Sequence, residues 1–278
     1  MTVHPDSVLL ITLDSCRYDT AVNSNTANIR NLGPIHRAQA PSYFTFGSHA
    51  AMFMGFTPGM AEYRLPHLNP KYGKLFRLEG AGSKGKGEPG FLLRGRNIIE
   101  GFGALGYATI GAAAVGWFNP ETPSGRVLTE SFQEFFFAGN TWSLHRQLDW
   151  LRARLEENRG KRVFVFLNVG ETHVPYYFEG APWSARDNPC IPFQEIDRSA
   201  ECRGRQKRCL EHVDAQLGLL LDAFMPATVL ICGDHGDCWG EDGLWEHGVS
   251  HPATLTVPLI IRLRGVPLSV PTAAGIAT

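Results

Sequence analysis

Thr228-Val-Leu-Ile-Cys-Gly-Asp-His-Gly236 is the stretch of sequence that decides the fold. Residues 229–232 are apolar and partly β-branched, which indicates a buried β-strand that ends at Gly233. Asp234 and His235 follow at once. In an α/β protein the carboxyl ends of the strands open into a crevice, so these two side chains would face a ligand there. An ordinary turn after the strand is the alternative, and a short motif alone does not separate the two interpretations.

Two other buried strands also lead directly into polar residues. Val8–Leu13 is almost continuously apolar and runs into Asp14, and 163–168 runs into a loop that carries His173. Because the carboxyl ends of parallel strands meet at one edge of a sheet, we expect these side chains to converge with Asp234 and His235.

Helical and strand patterns alternate along most of the sequence. A further strand is predicted over 107–115, and Pro258 places the last strand, 257–262, at a sheet edge or at a strand start. Helices are predicted over 49–54, 97–105, 144–157 and 209–224. This alternation predicts an α/β fold with a doubly wound, mainly parallel central sheet and helices on both of its faces.

Length and composition favour a single α/β domain over residues 1–278, with a hydrophobic fraction of 44%. The formal net charge of −1 argues against a nucleic-acid partner. Residues 60–97 form a glycine-rich, flexible insertion, and 177–208 form an irregular polar segment whose basic cluster we interpret as a solvated face. The insertion is either a surface loop or a lid whose Lys84, Lys86, Arg94 or Arg96 meets an anion.

No run of 18 apolar residues predicts a membrane span, and the first residues lack the basic and apolar regions of a signal peptide. We therefore expect a cytoplasmic protein whose six cysteines are reduced thiols. A local disulfide or metal clip among Cys190, Cys202 and Cys209 is the alternative.

Thr45 and Ser48 lie just before or at the start of the predicted helix 49–54. A helix N-terminus favours anions, and a hydroxyl placed there can face an anionic substrate. Simple N-capping is the alternative, and we prefer it for Ser48 but not for Thr45.

The residues that the fold would bring together are Asp14, Thr45, His173, Asp234 and His235. Two carboxylates and an imidazole suit a divalent cation such as zinc or manganese. A cation there would lower the pKa of a hydroxyl and neutralise an oxyanion, which is the equipment for phosphoryl or sulfuryl transfer through a covalent intermediate.

The same stretches resemble the alkaline phosphatase superfamily, on the side of the sulfatases and phosphoglycerol transferases. The resemblance rests on residues 11–19, 45–49, 106–109 and 171–176, on 232–236, and on His247-Gly248, in the order in which the family has them. It implies that Asp14, Asp234 and His235 bind a metal and that Thr45 is a nucleophile that also touches it. It also implies that His173 binds the substrate, and that His247 acts on the leaving group or holds a second metal.

Several positions depart from that family pattern. The sulfatase signature has Cys or Ser, then Pro, then Arg, where this sequence has Thr45, Gly47 and His49. Since a threonine cannot become formylglycine, a conventional sulfatase is not expected. Ser15 stands where many sulfatases have a second Asp, and the Asp-x-x-x-His pair of two-metal phosphatases is absent around His173.

The sequence therefore predicts a metal-dependent hydrolase or transferase that acts on a small anionic ester: a phosphate ester, phosphodiester or phosphonate. Thr45, His173 and His247 are the predicted catalytic residues, and Ser48, His49 and His173 the predicted substrate contacts. We expect one divalent metal, zinc or manganese, with magnesium or calcium as alternatives. Sulfate-ester hydrolysis without formylglycine and a non-catalytic metal-binding or anion-binding scaffold are the alternative functions.

Overall fold

The computed structural model of the protein describes residues 2–55 and 96–268, together with the backbone of two short strands, 77–79 and 90–92. Lys84, Lys86 and Arg94, on which the lid hypothesis depends, lie outside the described residues.

Helices separate most of the strands along the sequence. They are β1 (Val8–Leu13), β2 (His36–Gln39), β3 (Arg77–Glu79), β4 (Gly90–Leu92), β5 (Ala108–Ala113), β6 (Glu134–Phe137), β7 (Val163–Val169), β8 (Thr228–Gly233), β9 (Cys238–Trp239), β10 (Trp245–Glu246), β11 (Thr256–Leu263) and β12 (Val266–Pro267).

An eight-stranded sheet forms the centre of the molecule, in the order β12-β11-β8-β1-β7-β5-β6, with β2 also paired to β11. Strands β8, β1, β7, β5 and β6 are parallel, and β11 runs antiparallel to β8, β2 and β12. The mainly parallel sheet is therefore confirmed. Pro258 lies at the third residue of β11, as the strand-start prediction allows, although β11 is flanked on both sides.

The register of the central strands decides where the polar residues emerge. Leu13 of β1 lies opposite both Val169 of β7 and Gly233 of β8. The three strands consequently end at one level, and Asp14 and Asp234 leave the sheet side by side at its carboxyl edge.

The helices cover both faces of the sheet. They are α1 (Tyr18–Asn23), α2 (Ala27–Leu32), α3 (Thr45–Met54), α4 (Ile98–Ala104), α5 (Pro123–Thr129), α6 (Leu144–Glu157), α7 (Ser199–Phe224) and α8 (Pro252–Leu255). Side chains of β7 alternate between the two layers: Val165 and Leu167 pack with α2, α6 and α7, whereas Phe164 and Phe166 pack with α3, α4 and α5. This alternation creates the two separate cores of a doubly wound fold.

Helix α7 begins at Ser199 and not at Cys209, where the sequence pattern starts it. The extra turns bury Cys202 and Arg205. The other residues of the basic cluster are exposed, as the interpretation as a solvated face predicts: Arg203, Lys207 and Arg208. The Arg205 side chain is only 6% exposed because Glu201 and Asp187 pair with it. These ion pairs neutralise the charge repulsion within the cluster, so the segment can fold as a helix.

All six cysteines are free thiols, as predicted, and Cys190, Cys202 and Cys209 are buried without a disulfide. Among the described residues no helix has the length and apolar character needed to cross a bilayer.

Candidate active site and metal centre

Asp14 and Asp234 are buried carboxylates that directly follow β1 and β8 at the carboxyl edge of the sheet. The Asp234 Oδ1 atom accepts hydrogen bonds from the backbone amides of Ser15 (3.1 Å) and His235 (2.9 Å). Ser15 has a φ of 59°, a left-handed conformation that is unusual for a residue with a side chain. The backbone after β1 therefore has an uncommon conformation at Ser15, the residue whose amide binds Asp234.

The second oxygen of Asp234, Oδ2, is buried and has no hydrogen-bond partner among the residues that the structure describes. It lies 3.6 Å from the His235 Nε2 atom, which also lies 3.6 Å from the Asp14 Oδ1 atom. Ligand atoms of these three side chains fall within 4.8 Å of one another. An orphaned carboxylate oxygen facing an imidazole nitrogen is what a divalent cation would satisfy, so the residues present fit a metal.

The pKa values of Asp234 and His235 also support a metal site at these residues. Burial, and then the charge of Asp14, raise the pKa of Asp234 well above its usual range. Burial lowers the pKa of His235 to about 4, so its imidazole is neutral and its Nε2 atom can act as a ligand. Its other ring nitrogen, Nδ1, donates to the Gly236 carbonyl at 3.1 Å, which fixes the ring orientation.

Thr45 is the first residue of α3, a helix of ten residues. Its hydroxyl donates to the Asp14 Oδ2 atom at 3.3 Å and also lies 3.3 Å from the His235 Nε2 atom. Thr45 therefore stands at a helix N-terminus, a position whose dipole favours a negative charge. The structure thus brings Thr45 together with Asp14, Asp234 and His235.

Two neighbours of Thr45, Gly47 and Ser48, determine how the first turn of α3 packs against the rest of the molecule. The Ser48 hydroxyl donates to the Asp234 carbonyl at 2.6 Å, which ties the helix to the end of β8. Gly47 has no space for a side chain, because a Cβ atom there would lie 2.5 Å from the Ser42 Oγ atom. Ser48 is fully buried, and its hydroxyl is used in contacts within the protein.

His49 lies behind Thr45 and has no exposed surface. Its Nδ1 atom donates to the Thr45 carbonyl at 2.7 Å, and its Nε2 atom lies 2.9 Å from the Thr12 hydroxyl. Burial lowers the pKa of His49 to about 4, so the ring is neutral. Both ring nitrogens are occupied, and the geometry favours a supporting role over the predicted substrate contact.

His173 and His247 form the opposite wall of the site. The His247 ring lies 4.5 Å from the His235 ring and 5.2 Å from the His173 ring, measured between centroids. The Nδ1 atom of His173 donates to the Val174 carbonyl at 2.7 Å. This bond leaves the Nε2 atom of His173 available to a ligand.

Asp237 is a residue that the sequence analysis missed. It is fully buried, and its Oδ1 atom accepts from the His247 Nδ1 atom at 2.7 Å. Its Oδ2 atom accepts from the Tyr176 hydroxyl at 2.7 Å, and that hydroxyl accepts from the Trp239 indole at 2.8 Å. A sequence signal existed, because Asp237 follows Asp234 by three residues in the same post-strand segment.

Asp237 sets the charge of His247. Burial alone would lower the pKa of His247, but the hydrogen bond and charge of Asp237 outweigh it and raise that pKa to about 9. Burial likewise opposes the ionisation of Asp237. The hydrogen bond and charge of His247 nevertheless hold the pKa of Asp237 below its usual range. His235, Asp237 and His247 also have ligand atoms within 4.8 Å of one another. The 2.7 Å hydrogen bond nevertheless occupies the Nδ1 atom of His247, so this trio is better described as an ion pair beside His235.

The chain is similar to known proteins in structure, whereas the comparisons of its sequence found no match. No protein-family model and no curated protein sequence matches the chain. The fold is similar to the C-terminal periplasmic domain of EptC from Escherichia coli in complex with zinc, with a TM-score of 0.64 and 11% identity over 94% of this chain and 73% of that one. It is also similar to the phosphonate monoester hydrolase of Agrobacterium radiobacter, with a TM-score of 0.58 and 15% identity over 94% and 68%.

A third similar structure is described by the family to which it belongs. It is a protein of the alkaline phosphatase superfamily from Vibrio parahaemolyticus, with a TM-score of 0.53 and 12% identity over 95% of this chain and 62% of that one. The chain therefore has the alkaline phosphatase superfamily fold, as the resemblance of its motifs predicts.

Proposed function

We propose that this protein is a metal-dependent phosphoester hydrolase or phosphotransferase in which Thr45 is the nucleophile. One observation carries the proposal: the Thr45 hydroxyl lies at a helix N-terminus, 3.3 Å from both the Asp14 Oδ2 and His235 Nε2 atoms. A buried threonine hydroxyl between a carboxylate and a neutral imidazole is placed for deprotonation and for attack on an anionic group.

Asp14, Asp234, His235 and the Thr45 hydroxyl would hold one divalent cation, with zinc or manganese as the metals that suit this ligand set. When bound, the cation would lower the pKa of the hydroxyl and neutralise oxygens of the substrate. The orphaned Asp234 Oδ2 atom supports this assignment. Structural similarity to a zinc-bound domain agrees with it.

The protein's own residues would perform the chemistry as follows. The Thr45 Oγ atom, its proton lost to solvent, forms a bond to phosphorus while the bond from phosphorus to the leaving oxygen breaks. Backbone amides at the start of α3 stabilise the charge on the phosphoryl oxygens. The protonated His247, held by Asp237, gives its Nε2 proton to the leaving oxygen. His173 contacts the oxyanion from the same wall. Water or an alcohol then releases the phosphoryl group from Thr45.

A phosphate or phosphonate ester is the preferred substrate class. The similar structures include a phosphoethanolamine transferase domain and a phosphonate monoester hydrolase, which supports phosphorus chemistry at this kind of site. Sulfate esters are disfavoured because Thr45 cannot supply formylglycine. A non-catalytic scaffold is disfavoured because it would not need a nucleophile, a protonated His247 and an orphaned carboxylate in one crevice.

The test is a side-by-side assay of purified, zinc-loaded or manganese-loaded protein on matched aryl phosphate, aryl phosphonate and aryl sulfate esters. We expect turnover of the phosphorus esters, loss of at least about 10²-fold in kcat in Thr45→Ala, and partial activity in Thr45→Ser. Thr109→Ala is the control, because this buried threonine lies near the start of β5, at the end of the sheet opposite the crevice. Full activity of Thr45→Ala on every accepted ester would refute the covalent mechanism.

A further inference from the structure

Behind Thr45, a network of hydrogen bonds links the sheet to the first turn of α3. The Asn168 Oδ1 atom accepts from the backbone amides of Ala114 and Val115, each at 3.4 Å. The Asn168 Nδ2 atom donates to the Thr12 hydroxyl at 3.3 Å. The Thr12 hydroxyl lies 2.9 Å from the His49 Nε2 atom. The network thereby connects His49 to residues that follow β5 and to residues within β7 and β1.

The two ends of this network fix the direction of every bond in it. Backbone amides can only donate, so they require the carboxamide oxygen of Asn168 and turn its NH₂ group toward Thr12. The Thr12 oxygen then accepts, and its own proton goes to the His49 Nε2 atom. At the far end the Thr45 carbonyl can only accept, so the His49 Nδ1 atom must carry the proton. The Thr45 carbonyl therefore selects the tautomer of His49, and the Thr12 hydroxyl is compatible with it because its proton is free to face the Nε2 atom.

Apart from these partners and the Asp234 Oδ2 atom, which lies 3.8 Å from the His49 Nδ1 atom, aromatic rings surround His49. Edge-on rings of Phe118, Phe166 and Phe53 lie 4.8, 5.6 and 6.0 Å from the imidazole, measured between centroids. His49 and Thr12 are both 0% exposed. In such a dry site a polar group without a partner is costly, so one arrangement of the network is favoured over the others.

We propose that His49 is a positioning residue for Thr45: its Nδ1–H group holds the Thr45 carbonyl and so fixes the orientation of the nucleophile. This inference deepens the proposed function and rests on it. Ser48 anchors the same turn to β8 from the other side, so the first turn of α3 is held at two points. A neutral ring is suited to this task because it adds no positive charge beside the candidate metal site.

A simple core histidine is the competing explanation, and it makes a different prediction about substitutions. An asparagine at position 49 places an NH₂ group close to the position of the His49 Nδ1 atom, whereas a glutamine reaches the position of the Nε2 atom. Glutamine is larger than asparagine by one methylene and leaves the smaller void among the three phenylalanines, so a packing role would make His49→Gln at least as active as His49→Asn. A positioning role requires the donor to the Thr45 carbonyl, so His49→Asn should be the more active variant.

The first measurement is the tautomer of His49, by ¹⁵N NMR of the metal-free full chain, with the signal assigned by its absence in His49→Asn. We expect a protonated Nδ1 and an unprotonated Nε2 in the wild type, and the same tautomer with a shifted Nε2 signal in Thr12→Val, which loses the hydrogen bond to that nitrogen. Thr109→Val, another buried strand threonine, should leave the signal unchanged. A protonated Nε2 with a bare Nδ1 in the wild type would overturn the proposal.

The second measurement is kcat, KM and metal content of the metal-loaded variants on an aryl phosphate. We expect His49→Gln to lower kcat by about 10- to 100-fold with KM and metal content nearly unchanged, and His49→Asn to retain most of kcat. Equal losses in both variants, a greater loss in His49→Asn, or wild-type kcat in both, would overturn the proposal. Because the tautomer is observed without turnover, a wild type that hydrolyses no ester counts against the proposed function separately from this network.

Discussion

At the scale of single residues, the His247–Asp237 pair carries the largest electrostatic consequence. The raised pKa of His247 means that it is a cation at neutral pH in the folded protein, whereas an unfolded histidine is mostly neutral. A cation at this position can donate to a leaving oxygen. The same shift must also appear in the stability of the fold, because a pKa difference between folded and unfolded states makes stability depend on pH.

We expect the His247–Asp237 pair to stabilise the metal-free protein at low pH and not at high pH. The folded pKa of about 9 exceeds the unfolded value of 6.5, so the contribution is complete below pH 6.5 and disappears as pH rises through 9. Its size is on the order of 3 kcal/mol at most, since one pKa unit corresponds to about 1.4 kcal/mol. Urea unfolding of the wild type and His247→Gln in EDTA, from pH 6 to 10, measures it. A stability difference that is independent of pH would contradict the assignment.

Glu171 presents the opposite case, a buried acid that lacks a counterion. Its Oε1 atom accepts from the Leu144 amide at 2.8 Å, which caps α6, but its Oε2 atom has no partner. Burial raises its pKa to about 7, although that amide hydrogen bond works in the other direction. Ionisation of Glu171 therefore costs stability as pH rises through 7.

We expect Glu171→Gln to stabilise the protein above pH 7 by on the order of 1–3 kcal/mol and to have no such advantage near pH 4.5. The glutamine keeps the oxygen that caps α6 and removes the ionisation. Thermal unfolding at pH 5 and pH 8 measures the difference, with exposed Glu130→Gln as the matched control. An equal effect of Glu171→Gln at both pH values would exclude ionisation as its cause.

At the scale of elements, the ends of the strands matter more than their interiors. Gly233 ends β8 where the chain must pass close to its neighbours: a Cβ atom there would lie 2.6 Å from the Cys16 carbonyl and 2.9 Å from the Val257 Cβ atom. By contrast, Gly103 lies within α4 with open space around it. The same substitution should therefore have opposite effects at these two glycines.

We expect Gly233→Ala to destabilise the fold by about 1–3 kcal/mol through overpacking and to weaken metal binding, because Asp234 is the next residue. Gly103→Ala should stabilise the fold by up to about 1 kcal/mol, the helix propensity difference between the two residues. Chemical denaturation of both variants, with metal titration, is the measurement. A tolerated Gly233→Ala would show that β8 can shift without loss.

The element scale also shows how far sequence alone can predict this structure. Residue patterns were sufficient for the buried strands β1, β7 and β8, for α6, and for the convergence of Asp14 and Asp234, because hydrophobic runs and strand ends are local signals. The first turns of α7 were missed, since their stability depends on the ion pairs of Arg205 with Asp187 and Glu201. The contacts of Asp237 and of His49 were missed because they form only when distant segments meet.

At the scale of the whole molecule, the site lowers the stability of the fold that carries it. Asp14 and Asp234 are both fully buried side by side, and like charges in such a site repel. A bound cation would reverse that penalty, so metal binding and folding should be coupled. The cytoplasmic location and the single domain over 1–278 stay predictions, although the described strands β1, β5–β8 and β11 belong to one sheet.

We expect Asp234→Asn to be more stable than the wild type without metal, by on the order of 1–2 kcal/mol, because it removes the repulsion and keeps the Oδ1 acceptor. With metal the order should reverse, since a ligand at 100 times its Kd stabilises the wild type by about 2.7 kcal/mol. Melting temperatures in EDTA and in excess zinc or manganese test this. The same order in both conditions would contradict the coupling.

The most direct test of the central claim is metal analysis of the purified protein under metal-replete conditions. The wild type should carry about one zinc or manganese per chain, and the Asp234→Ala, His235→Ala double variant should carry none while remaining folded. The Asp149→Ala, His145→Ala double variant, altered at exposed positions, should match the wild type. A metal-free wild type, or an equal metal content in the Asp234→Ala, His235→Ala variant, would contradict the assignment of this crevice as a metal site.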